Sequence, residues 1–325
     1  TGGAGFIGSH VVRELLADGV EVRAFVREGE DTMNLDDLPV EIATGDILKP
    51  DTVRDAMEGC DELFHLAAIY AIWLPGGDQP MYRVNVHGSR IVLAEAQRQK
   101  LKRIVYTSSI AGVGYSEDDR PINEDHPWNF WERGNAYVRS KYYGEQEARK
   151  FAKDGLPVVI VNPAFPFGAR DVGPTPTGMF ILNALNRHVP AFLESGFNAV
   201  DVEDVAKGHV LAARKGRVGE RYILGHKNIL VSEFFDIIGR VLGVRVPKRR
   251  LNYQAALRVG RIAELVADRI THKPPFATPG AVRVAASRMW FDCSKAVKEL
   301  GLPQSPIEEA IVRAADWFRA NGYVK

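Results

Sequence analysis

Cysteine is scarce in this chain of 325 residues, which has only Cys60 and Cys293. They lie far apart, with neither a bridging framework nor paired zinc spacing, so a disulfide scaffold is excluded and no metal site is expected. Neither sign of charge is in excess, since 42 Lys and Arg face 41 Asp and Glu for a net charge of +1. Without a global basic field to release counterions, a nucleic-acid partner is not expected. No apolar run reaches the ~18 residues of a bilayer span, and no charged, apolar, then small-residue leader opens the chain. A cytoplasmic protein without a transmembrane segment is expected. The length matches about two domains of ~150 residues, and 46% hydrophobic and 26% charged residues mark an ordinary folded chain.

What is present begins at once. Thr1-Gly2-Gly3-Ala4-Gly5-Phe6-Ile7-Gly8 is a glycine loop that runs into a helical pattern from Ser9 to Leu16. Gly2 permits a tight turn, Gly5 lets backbone N–H groups approach a pyrophosphate, and Gly8 allows close helix packing. The helix N-terminus then offers donors and a positive dipole end. Such a loop normally follows a strand, so a strand of about five or six residues is expected before Thr1. Arg27 lies nineteen residues after Gly8, where an NAD enzyme usually places an acid. An arginine there suits a 2′-phosphate, so NADP(H) is the preferred cofactor and NAD(H) the alternative.

β-rich runs at Val20–Val26, Val40–Ala43, Glu62–Leu66, Arg103–Thr107 and Val158–Val161 alternate with helical patterns around Thr52–Met57, Met81–Gln99 and Ala136–Ala152. That alternation predicts an α/β fold, a Rossmann-type doubly wound parallel sheet over residues 1–165. A smaller, mostly helical substrate lobe is expected over 166–325. Its segment at about 197–215, a short strand entering a helix, is expected to return to the first domain, at the far edge of its sheet. Within this lobe, Lys248-Arg249-Arg250 reads as a solvated basic edge, with contact to an anionic substrate or surface as the alternative. The segment Tyr253–Ile270 sets Arg258, Arg261 and Arg269 among apolar residues. Packing on the protein is expected for it, and a membrane-surface role is the alternative.

The second constellation is Tyr137-Val138-Arg139-Ser140-Lys141, with Thr107-Ser108-Ser109 upstream at a strand end. Positions four apart share a helix face, so the Tyr137 hydroxyl and the Lys141 ammonium can converge. A neighbouring cation stabilises a phenolate, and a serine hydroxyl can hydrogen-bond a substrate oxygen. Together with the glycine loop, this predicts hydride transfer with a nicotinamide cofactor.

With these motifs the chain resembles an extended short-chain dehydrogenase/reductase of the NAD-dependent epimerase/dehydratase superfamily along essentially its full length. It is most similar to the dihydroflavonol-reductase-like branch and, through Pro174-Thr175-Pro176-Thr177-Gly178, to hopanoid-associated sugar epimerases. The resemblance implies that Asp46 and Ile47 flank the adenine and that Leu66, Ala67 and Ala68 line the ribose and pyrophosphate. It further implies that Lys141 serves the nicotinamide ribose as well as Tyr137, that Pro163 sits by the carboxamide, and that Asn85 supports a water relay. Ser109 is the catalytic serine by this resemblance, with Ser108 the fallback, and a homodimer is implied.

Tyr70 and Trp73 either line the substrate cleft or pack within their loop. Phe165, Phe167, Met179 and Phe180 are expected near the same cleft. Nucleotide-sugar enzymes of the superfamily hold the diphosphate with basic residues near a segment resembling Phe197–Asp204, which here has no Arg or Lys. The expected activity is therefore an NADP(H)-dependent interconversion of a ketone or aldehyde and a secondary alcohol, on an apolar small molecule. A sugar epimerase or dehydratase with retained cofactor is the alternative, and a non-catalytic dinucleotide sensor a minor one.

Overall fold

The structure, a computed structural model, describes residues 1–187 and 190–324. In chain order its strands are β1 (Arg23–Val26), β2 (Glu41–Thr44), β3 (Glu62–His65), β4 (Arg103–Thr107), β5 (Val158–Pro163), β6 (Phe165–Phe167), β7 (Gly196–Asp201), β8 (Arg221–Leu224) and β9 (Lys227–Leu230). Strands β3, β4, β5 and β8 form one parallel sheet in that spatial order, and β1 pairs with β2, also in parallel. Every residue of β5 is buried, as a strand covered on both faces requires.

Side-chain alternation sorts the two faces. Ile104, Tyr106, Val158 and Ile160 pack with Val53, Leu93 and Ala148 from helices Pro50–Met57, Ser89–Arg98 and Ala136–Lys153. Val105, Val159 and Val161 pack with Val205 and Ala212 of helix Val202–Lys215, which also lies against helix Phe6–Ala17. Helices thus cover both faces, and the fold is a Rossmann-type doubly wound α/β sheet. Thr1 runs along β3: its backbone nitrogen donates to the Phe64 carbonyl at 2.8 Å, and Leu66 N–H donates to the Thr1 carbonyl at 3.1 Å.

The second half is mostly helical, as expected, and adds a small sheet of its own. Strands β6, β7 and β9 make their own sheet, with β7 and β9 antiparallel. The segment expected at the far edge of the first sheet is β7, which pairs in this second sheet instead. Helix Val202–Lys215 and β8 are the parts that pack on or join the first sheet. Aromatic packing accounts for the difference: Phe197 of β7 lies 5.1 Å from Phe165 and 5.2 Å from Phe234, ring centre to ring centre, and Phe167 lies 4.6 Å from Phe234. Consequently Phe167 is buried in the core, and Phe165, Met179 and Phe180 are half-buried against it. The wider burial removes them from water at about 25 cal/mol per Å² of apolar surface.

One buried ionic cluster ties the layers together. The Glu145 carboxylate, wholly buried on helix Ala136–Lys153, accepts from Arg149 at 3.0 Å, from Arg221 of β8 at 3.1 Å and from the Asn162 amide of β5 at 2.8 Å. Arg221 also donates to the carbonyls of Gly112, Glu124 and His126. Removing one partner of a buried pair leaves a charge without compensation. Arg221→Met is therefore expected to destabilise the fold by about 3–5 kcal/mol, read as a lower urea midpoint with unchanged slope.

Candidate active site

Several of the expected site residues follow, or close, the carboxyl end of a strand: Arg27 after β1, Asp46 after β2, Leu66 to Ala68 after β3, Ser109 after β4 and Pro163 at the end of β5. That is the edge at which open α/β sheets bind ligands. The glycine loop lies against it. Gly2 has φ of +74°, and a Cβ there would lie 2.7 Å from Ala67 N, while a Cβ on Gly8 would collide with the Gly2 carbonyl oxygen. Only glycine satisfies both positions. Gly5 caps helix Phe6–Ala17 with no side chain, leaving the first-turn amides at Phe6 and Ile7 uncovered by a side-chain cap. A backbone-only cradle of this kind fits a dinucleotide pyrophosphate.

The other cofactor positions are less uniform. The Arg27 side chain is 73% exposed, yet Glu30 accepts from its backbone N–H at 2.8 Å and stands 4.0 Å from its Nε. An acid therefore shares the place where a 2′-phosphate would bind. Asp46 accepts from Leu48 N–H at 2.9 Å, and Ile47 is buried with its Cδ1 turned toward Gly88. The Ile47 side chain therefore belongs to the core.

Helix Ala136–Lys153 is capped by Asn135, whose side chain accepts from Val138 N–H at 3.0 Å. At the second position of the helix, the Tyr137 phenol is pushed up to about 12 by burial, against a smaller lowering influence of the nearby Ser109 side chain. Ser108 is buried, its Oγ lies near Gly112 and it has no hydrogen-bond partner, so the serine beside Tyr137 is Ser109. Lys141 is buried, donates to the Thr107 carbonyl at 2.8 Å, and is pulled down to about 8 by burial against the opposing pull of Glu145. Asn162 donates to both the Ser109 carbonyl and Glu145, each at 2.8 Å, and so joins the serine to the ionic cluster. Glu145 and Arg221 are absent from the sequence reading. Glu145 had a signal, as the third position of the Tyr137 and Lys141 stripe, whereas Arg221 lies 76 residues further on and had none.

The Tyr70 ring lies 4.6 Å from that of Tyr137, so the loop after β3 reaches the catalytic helix. Asn85 fastens that loop, accepting from Ile69 N–H at 2.7 Å and donating to the Ile69 carbonyl and Ser140. It sits in the π-helical turn Arg83–Gly88, which interrupts the helix expected over Met81–Gln99. The Trp73 indole N–H donates to Asp268 at 2.9 Å, reaching the C-terminal half. In the Pro174–Gly178 motif, Thr175 caps helix Pro176–Leu185 and is held by Asp171, a carboxyl that burial pushes up to about 6. His65 is a buried strand residue held between the Thr1 and Ser89 hydroxyls.

Residues 1–225 match the sequence model of the NAD dependent epimerase/dehydratase family. The chain belongs to that family. It is 41% identical, over its whole length and 95% of the relative's, to a Synechocystis protein provisionally named dihydroflavonol 4-reductase. Sterol demethylase protein B of Methylococcus capsulatus is 34% identical over the whole chain and 98% of its own length. The crystal structure of gox2253 superposes with a TM-score of 0.88 at 38% identity, covering 100% of this chain and 98% of that one. Membership makes the protein an NAD(P)-dependent oxidoreductase of the extended short-chain type.

The burial of Lys141 sets a pH dependence. Its folded value of about 8 lies below the ~10.4 of an unfolded lysine, so the ammonium opposes folding in full below pH 8, by roughly 3 kcal/mol. The penalty is relieved as pH rises from about 8 toward 10. Chemical denaturation across that range should show wild-type stability rising relative to Lys141→Met, which lacks the titration; parallel curves would refute the assignment.

Proposed function

We propose that the protein is an NADP(H)-dependent reductase that interconverts a ketone or aldehyde and a secondary alcohol. The observation that supports this most is the placement of Tyr137 one helical turn before the buried Lys141, whose ammonium is fixed to the Thr107 carbonyl at the strand end that leads to Ser109. Burial keeps the Tyr137 phenol protonated across the neutral range, so it serves as the acid that delivers a proton to the carbonyl oxygen. Ser109 donates to the same oxygen. As the proton leaves, the phenolate is stabilised by Ser109 and by the Lys141 ammonium. When bound, the nicotinamide supplies or takes up the hydride. Gly2, Gly5, Phe6 and Ile7 would hold the pyrophosphate with Leu66, Ala67 and Ala68, and Asp46 and Ile47 would border the adenine. Pro163 would adjoin the carboxamide and Arg27 the 2′-phosphate.

An apolar substrate is favoured over a nucleotide sugar. Strand β7 and the start of the following helix bring no cation to a diphosphate, and Asp201 and Glu203 there pair with Arg313. The relatives above are named for a dihydroflavonol and a sterol, both largely apolar. Tyr70, beside Tyr137, gives such a substrate a ring to stack on. We further propose a cytoplasmic homodimer; the two free thiols, Cys60 and Cys293, suit that compartment.

Tyr137→Phe is expected to lower kcat by 10²-fold or more with little change in KM, measured with a panel of carbonyl compounds and NADPH. Arg27→Ala should raise the KM for NADPH about tenfold while that for NADH hardly moves. Denaturing the purified protein and counting released nucleotide tests the whole reading: exchangeable NADP(H) agrees with it, and a full equivalent of tightly held NAD overturns it in favour of an epimerase.

A further inference from the structure

Helix Tyr253–Val266 and the π-helical turn Ala267–Thr271 that extends it bury only Gly260 and Ala267. The inner side is set by Gly260, where a Cβ would lie 3.1 Å from the Thr278 carbonyl carbon. The opposite side is apolar. Val259, Ile262 and Val266 recur at helical spacing with Leu265 beside them, and Ile262 and Leu265 are 64% and 58% exposed. Ile270 and Phe276 prolong the patch at 72% and 80% exposure. Eight of the fifteen exposed large hydrophobic side chains among the described residues fall between Leu251 and Phe276, so this is one patch and not ordinary scatter.

Charge follows the same segment. Between Arg245 and Phe276 stand eight Lys and Arg against two acids, in a chain whose total charge is +1. Of the acids, Glu264 is half-buried and Asp268 accepts the Trp73 indole N–H. Arg258 and Arg261 flank the apolar face, where their stems can lie along the hydrocarbon while the guanidinium groups reach outward.

We propose that this face docks on an anionic lipid bilayer, the helix lying in the plane of the headgroups. An apolar stripe bordered by cations meets both demands of such a surface, hydrocarbon below and negative charge above. Among the described residues no helix is long and apolar enough to cross the membrane, and the proposed contact is made by this face. Trp73 ties the patch to the loop that carries Tyr70, so docking sets the substrate cleft beside the lipid. That an apolar substrate then enters from the bilayer rests on the reductase reading; the docking itself does not.

The test is co-sedimentation of the purified full chain with vesicles of phosphatidylcholine alone or mixed equally with phosphatidylglycerol. Wild type is expected to pellet with the anionic vesicles at least tenfold better than with the neutral ones, and less so as salt rises. Ile262→Ser/Leu265→Ser should reduce the bound fraction about tenfold while thermal unfolding stays within a degree or two, because both side chains are exposed. Arg258→Gln/Arg261→Gln should weaken the preference for anionic lipid. Wild type remaining in the supernatant with every vesicle, or the Ser pair pelleting like wild type, overturns the proposal. So does a change of oligomeric state in the Ser pair by analytical ultracentrifugation, which would give the face to a second copy. An inactive carbonyl assay with intact vesicle binding would count against the reductase reading alone.

Discussion

The buried carboxylate of Glu145 is the constraint on which the site depends. It lies on the helix that carries Tyr137 and Lys141 and is satisfied only where that helix, β5 and β8 come together. An unpaired carboxylate at that depth would be costly, so the three elements have one acceptable arrangement. Asn162 passes that arrangement to the Ser109 backbone, and Glu145 favours the charged form of Lys141. The groups proposed to handle the proton are therefore positioned by an interaction that touches no substrate.

The legible parts of the molecule were those written in short stretches. Strand β4 and helix Ala136–Lys153 follow from local periodicity, and the glycine loop follows from the steric demands of a turn that Gly2 and Gly8 alone can meet. The relative placement of Ser109, Tyr137 and Lys141 was readable because helical spacing fixes two of them and a strand end precedes the third. What escaped was long-range. The pairing of β7 with β9, the crossing of Arg221 to Glu145 and the placement of Phe167 all depend on partners far away in the sequence.

The two halves divide their tasks unequally. The first sheet brings its strand ends to one edge and so fixes the cofactor side, with backbone doing much of the work. The second half supplies its own phenylalanine-rich core, a capped helix after Thr175 and the exposed Tyr253–Val266 helix. Its chemistry is packing and surface, and the basic, apolar character of residues 245–276 gives it a different outward face from the rest of the chain.

The Trp73–Asp268 hydrogen bond joins these halves three residues along the loop from Tyr70, whose ring lies against Tyr137. An exposed hydrogen bond contributes about 1 kcal/mol. The tie between the Ala267–Thr271 turn and that loop is therefore a light one, which passes on small displacements and parts under larger ones.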